Sequence, residues 1–100
     1  MKIEQLQPLI IQWAKDKGIL DKATAIKQAL KTAEEVLELQ NAILDNDREE
    51  IIDALGDILV TIIIGAEMQG LTLDECLESV YNVISKRTGK MINGTFVKDK

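Results

Sequence analysis

Six carboxylates, three on each of two segments, carry the chemistry this sequence offers. Glu34, Glu35 and Glu38 form one group; Glu50, Asp53 and Asp57 form the other. On a helix, at about 100° per residue, Glu35 and Glu38 share one flank and Glu34 stacks a turn before Glu38. The second group is spaced by three and then four residues, which sets it on one stripe. Like charges at that spacing repel, so a bare helix gains nothing from them. Asp57 is the demanding member, because it lies inside the apolar run 55–66 with no basic residue within a turn. An ionised carboxylate in such a setting needs a cation or a hydrogen-bonding partner. Two acidic stripes facing each other on antiparallel helices would supply a bound metal.

The donor type selects the metal. There is no histidine and a single cysteine. Oxygen ligands alone favour Mg²⁺ or Mn²⁺. Zinc sites of the Cys/His kind and Glu-x-x-His di-iron bundles are excluded. Mg²⁺ held by carboxylates shares its shell with water and substrate phosphates, which points toward phosphoryl or nucleotidyl chemistry. The competing reading makes Glu34, Glu35 and Glu38 a solvated helix face, and the apolar setting of Asp57 weighs against it.

Four helices must position these groups. The first spans residues 3–17 and stops at Gly18. The second spans 22–44 with Asp21 as N-cap and a core stripe of Ile26, Leu30, Ala33, Val36 and Leu37. After the polar turn Asp45, Asn46 and Asp47, the third spans 48–69. The fourth follows Thr72, which forms a capping box with Glu75, and ends near Arg87 or Thr88. In the tail, Asn93-Gly94 between apolar residues gives a hairpin signal, an irregular tail being the alternative. The expected fold is all-α: one four-helix antiparallel bundle-like domain over residues 1–100 with a short C-terminal tail. The third helix is apolar on nearly all sides and must be surrounded. So short a chain has few helices to do this, and a homo-oligomer, dimer or tetramer, is expected.

Composition removes other classes. The chain has 100 residues and a formal net charge of -5. An acidic chain repels nucleic-acid backbones, so no nucleic-acid partner is expected. Lys86, Arg87, Lys90, Lys98 and Lys100 gather at the end, a cluster sized for one small phosphate-bearing ligand or else a solvated tail. Cys76, alone and without a histidine to activate it, reads as a small core residue. The apolar stretch 58–66 is too short to span a bilayer, and the start lacks a signal-peptide apolar region, so no membrane partner and a cytoplasmic location are expected.

Three segments carry a resemblance: Lys-Thr-Ala-Glu-Glu-Val-Leu-Glu at 31–38, Asp-Ala-Leu-Gly-Asp-Ile-Leu at 53–59 and Lys-Arg-Thr-Gly-Lys-Met at 86–91. Over residues 13–97 the chain resembles the MazG-like, all-α nucleoside triphosphate pyrophosphohydrolases, in their short single-domain phage and prophage form. The resemblance implies Mg²⁺-dependent cleavage of an NTP or dNTP to monophosphate and pyrophosphate, with attack of a metal-bound water on the α-phosphorus. It implies that Glu35, Glu38 and Asp57, with Asp53 or Glu50, hold one or two ions, and that Glu34 is a general base or an outer partner. Lys31, Asn82, Lys86, Arg87 and Lys90 are candidate phosphate contacts, Lys31 being equally a salt-bridge partner of Glu35. Trp13 is a candidate base-stacking residue, although its place on an apolar helix face favours a core role. One departure stands out: the family pattern ends in Glu-x-x-Asp, and if Asp57 is that Asp, Ala54 stands where Glu is expected. Two other functions compete with this one, a non-catalytic helical oligomerisation module and a phosphohydrolase releasing orthophosphate.

Overall fold

Capping chemistry divides the first half of the chain differently from its apolar periodicity. In the computed structural model, which describes residues 1–100, α1 (Ile3–Asp16) ends where Gly18 turns left-handed at φ +78°, a conformation open to glycine at no side-chain cost. A one-turn helix follows, α2 (Ile19–Lys22). The next helix, α3 (Ala25–Leu44), starts on Thr24, whose hydroxyl accepts from the Lys27 amide at 3.3 Å. Asp21 is therefore not the N-cap expected for it; it lies inside α2, and the helix begins three residues later than residue 22.

The later boundaries are local and follow the sequence closely. Asn46 takes φ +53° in the turn, and Asp47 caps α4 (Arg48–Met68) by accepting from the Glu50 amide at 3.2 Å. Thr72 and Glu75 exchange hydrogen bonds of 3.2 and 2.8 Å at the start of α5 (Leu73–Ile84). That helix stops short of the expected Arg87. The hairpin forms: β1 (Gly89–Ile92) pairs antiparallel with β2 (Thr95–Lys98), Met91 opposite Phe96. Its turn residues Asn93 and Gly94 both have positive φ, 50° and 82°, the two-residue form that matches strand twist. The fold is all-α and bundle-like, with five helices rather than four and a short strand pair.

The helical hairpin of α3 and α4 is the centre of the molecule; α1 lies on α4 and α2 on α1. Toward α4, α3 presents Gln28, Thr32, Glu35, Leu39 and Ala42, buried or half-buried at helical spacing. The expected core stripe lies on the opposite side. Ile26 is 69% exposed and Leu30 57%, and Ala33, Val36 and Leu37 are exposed with them. Apolar spacing identifies the side of a helix that avoids water but not what covers it. On α4, Ala54, Thr61, Ile63 and Ile64 are buried while Ile52, Leu55, Leu59 and Ile62 are exposed. Beyond Leu77, α5 and the hairpin lie wholly on the surface. The chain exposes 8044 Å², where a compact monomer of its mass would expose about 5,700 Å². Its radius of gyration is 15.9 Å, against about 13 Å for a compact domain of this length. No helix is long and apolar enough to cross a membrane.

Candidate functional site

The seam between α3 and α4 gathers three carboxylates. Glu35 and Glu38 come from α3 and Asp57 from α4, and each offers an oxygen within 4.8 Å of the others. The short turn makes this possible, because it folds α4 back antiparallel and brings residue 57 beside residue 35. The burial of the three is unequal, and it reverses the expectation built on Asp57. Asp57 is exposed, on the open flank of α4, although it lies within the apolar run 55–66. Glu35 is the buried member, 7% exposed.

Glu35 is also the least satisfied. Its Oε1 lies 3.7 Å from the Lys31 ammonium, and its Oε2 is buried with no hydrogen-bond partner. Burial pushes its carboxyl above the usual glutamate value, Glu38 beside it adds to the rise, and Lys31 pulls the other way. A buried carboxylate oxygen without a donor is costly, and a cation removes the cost. Three carboxylates, Glu35 among them, offer hard oxygen donors that fit a divalent ion of the Mg²⁺ or Mn²⁺ kind.

The other expected residues are distributed as follows. Glu34 is at the exposed rim, and Lys31 donates to its Oε2 at 3.2 Å. That bond is the main reason the Lys31 ammonium is held above its ordinary pKa. Lys31 thus bridges Glu34 and Glu35, the salt-bridge alternative, and it borders the adjacent cleft as well. Glu50 and Asp53 are exposed and stay outside the three-carboxylate group. Ala54 is buried in the seam, so no carboxylate of this chain takes the position of the missing family Glu. Asn82, on α5, and Lys86, Arg87 and Lys90 beyond it are exposed, and none borders the cleft at the acidic group. Cys76 is half-buried on α5.

That cleft, about 250 Å³, runs from Glu35 and Asp57 to Trp13 and Ile19, over a floor of Val60 and Ile64. Trp13 is 48% exposed, so the core role favoured for it from its helix face is not what the chain gives it. Two further lining residues, Gln28 and Thr61, were not singled out from the sequence. A signal for Gln28 existed: it shares a stripe with Thr32 and Glu35 at steps of four and three. Gln28 Nε2 donates to the Thr61 carbonyl at 3.2 Å, Thr32 Oγ1 donates to Thr61 Oγ1 at 2.8 Å, and Thr61 Oγ1 donates to the Ile58 carbonyl at 2.7 Å. This network ties the seam together directly beside the carboxylates.

The chain is 33% identical over 78 residues to an uncharacterized 18.2 kDa protein in the rep-hol intergenic region of Haemophilus phage HP1 (strain HP1c1). The match covers 78% of this chain and 47% of that protein, so the chain spans about half the length of this curated relative. No solved structure matches. The family description phosphoribosyl-ATP pyrophosphohydrolase matches residues 8–83, a span holding Trp13, Gln28, all three carboxylates and most of α5. The chain therefore belongs to the phosphoribosyl-ATP pyrophosphohydrolase family, within the MazG-like all-α nucleoside triphosphate pyrophosphohydrolase superfamily.

Proposed function

We propose that the chain is a Mg²⁺-dependent nucleoside triphosphate pyrophosphohydrolase, releasing monophosphate and pyrophosphate by attack of water on the α-phosphorus. The observation that carries this reading is buried Glu35, whose Oε2 has no partner and whose carboxylate converges with those of Glu38 and Asp57. Glu35, Glu38 and Asp57 would hold the ion, which supplies charge neutralisation for phosphate oxygens and a more acidic water. Packing fixes Glu35 in the seam, whereas Glu38 and Asp57 reach in from the open side and can adapt to an arriving phosphate. Glu34, which accepts a hydrogen bond from Lys31, stands at the rim where it can accept a proton or orient water.

Self-association belongs to the same reading. The surplus of exposed surface, roughly 2,400 Å² per chain over a compact monomer, matches what large, stable homodimers cover. The apolar outer sides of α3 and α4 are the surfaces it would remove from water. Asn82, Lys86, Arg87 and Lys90 would meet a phosphate tail only where the arm of a neighbouring copy lies across the cleft.

The family name makes phosphoribosyl-ATP a second candidate substrate. The test is a panel of NTPs, dNTPs and phosphoribosyl-ATP with Mg²⁺, reading pyrophosphate against orthophosphate. Pyrophosphate with the matching monophosphate is expected. Orthophosphate release would replace this reading with a different phosphohydrolase, and no turnover with any substrate would favour the oligomerisation module.

A further inference from the structure

We infer that residues 72–100 form an arm that pairs antiparallel with the same arm of a second copy, each hairpin covering an apolar cleft at the foot of its partner's α5. The inference rests on the self-association proposed above and is independent of the hydrolase reading. The cleft, about 300 Å³, opens between α1, α4 and the start of α5, and Ile3, Leu6, Ile10, Leu59, Ile63 and Leu77 make most of its lining. None of the three clustered carboxylates borders it. Leu77 also begins a stripe along α5: Leu77, Val80, Tyr81 and Ile84 recur at helical spacing, and each is between 45% and 68% exposed. Cleft and stripe are thus one continuous apolar surface, which Leu59 joins to the exposed side of α4. With its 12 residues, α5 is a rod of about 18 Å. It holds the hairpin at the end away from the cleft, and no hairpin residue of the same chain lines that cleft.

The charges select a second copy, and they select its direction. Residues 71–85 carry Asp74, Glu75 and Glu78 and no basic side chain, whereas residues 86–100 carry five basic side chains and one acidic, Asp99. Two arms laid parallel would set acid against acid and base against base. Related by a two-fold axis across the stripe, each acidic start meets a basic end, and Tyr81, near the middle, meets its own copy. The same operation carries each hairpin to the start of the partner's α5, where the cleft is open. A lone two-stranded hairpin is marginal in water, and every residue of this one is exposed, Met91, Ile92, Phe96 and Val97 included. One of its faces is nonetheless shaped. A Cβ at Gly89 would lie 2.5 Å from the Phe96 ring, so glycine lets that ring lie across β1 on the face it shares with Met91. That apolar face, with Lys98 at its margin, suits an apolar cleft that has Asp74 in its wall. From residue 84 onward the arm lies beyond the family match.

Charge exchange in the full chain tests both the contact and its direction, with sedimentation over a concentration series as the readout. Asp74→Lys with Glu78→Lys reverses the acidic start, and Lys86→Glu with Arg87→Glu reverses the basic end. Each pair of changes is expected to raise the Kd of self-association at least about tenfold, and all four together to return it to within about threefold of the wild type. Recovery in the fourfold variant excludes unfolding as the cause of the loss. Tyr81→Glu, which sets two charges against each other across the axis, is expected to dissociate the copies and has no rescue by either charge reversal. Amide exchange over residues 89–98 is expected to slow as wild-type concentration rises and to stay fast in Tyr81→Glu. A fourfold variant as dissociated as the two it combines, or hairpin exchange that is independent of concentration, would overturn the antiparallel arm. Wild-type Kd in every arm variant would overturn it too, while leaving self-association through the outer sides of α3 and α4. A wild-type chain that is monomeric at every concentration would overturn the arm and the proposed self-association together.

Discussion

The two sides of α3 differ in a way that reverses the usual order of inside and outside. The side against α4 carries Gln28, Thr32 and Glu35, two of them buried, with hydrogen bonds crossing to Thr61. The side facing away carries Ile26, Leu30, Ala33 and Leu37, all exposed. A helix pair that stood alone would do better with the two sides exchanged, because burying polar groups is costly and exposing large aliphatics forgoes their transfer energy. On the proposed function, the inner side is shaped by what it binds and the outer by what it meets. The candidate metal group occupies the seam of the single chain, and the large aliphatics lie on the outside.

Glu35→Gln is the sharpest way to break the inner half of that contrast. It should lower Mg²⁺-dependent turnover by at least about a hundredfold and abolish the rise in Tm on adding Mg²⁺. In the metal-free chain it should hold or raise Tm, because a neutral amide replaces a buried carboxyl. A variant with near-wild-type turnover would end the metal-site assignment. The outer half is tested by Leu30→Asp with Leu59→Asp. Sedimentation at micromolar concentration should move from an assembled species to a monomer, with Tm falling by several degrees. If the outer side is merely solvated, each change stays within about 0.5 kcal/mol and the sedimentation is unmoved.

A pH series sharpens the inner side further. Burial, then Glu38, raises the Glu35 carboxyl above its unfolded value, so the folded chain binds this proton more tightly than the unfolded one. The contribution is fully present below the unfolded pKa and is lost as pH rises through the raised folded value. Metal-free Tm should fall across that window, the fall should vanish in Glu35→Gln, and the stabilisation by Mg²⁺ should grow over the same interval because the ion needs the carboxylate. Differential scanning fluorimetry across the acidic range reads all three. The smallest effect belongs to neither side. Thr72→Ala removes the N-cap of α5 and should cost about 1 kcal/mol in a denaturant titration, without altering KM.

What the sequence made legible follows the range of the forces involved. The Thr72–Glu75 box, the start of α4 after Asp47 and the Asn93-Gly94 hairpin rest on neighbours a few residues apart, and they form at the expected places. α2 was not legible, because the left-handed Gly18 and the Thr24 cap outcompete a periodicity that runs on through both. Six candidate carboxylates could be named from type and spacing, but not which three converge or how deeply each is buried. An apolar stretch along the chain says little about one flank of its helix, and so Asp57 is open while Glu35 is enclosed. The side of α3 that packs was misread for a related reason: in the isolated chain the apolar stripe has nothing to pack on.

The turn of Asp45, Asn46 and Asp47 also sets an order of events. All three carboxylates belong to one helical hairpin, so they meet through the closure of a short loop between local elements, an event of microseconds. Joining a second chain is a bimolecular step, slower at dilution and dependent on concentration. Nascent chains should therefore be able to capture their ion before they find one another, and refolding with Mg²⁺ should show a concentration-independent binding phase ahead of a concentration-dependent assembly phase.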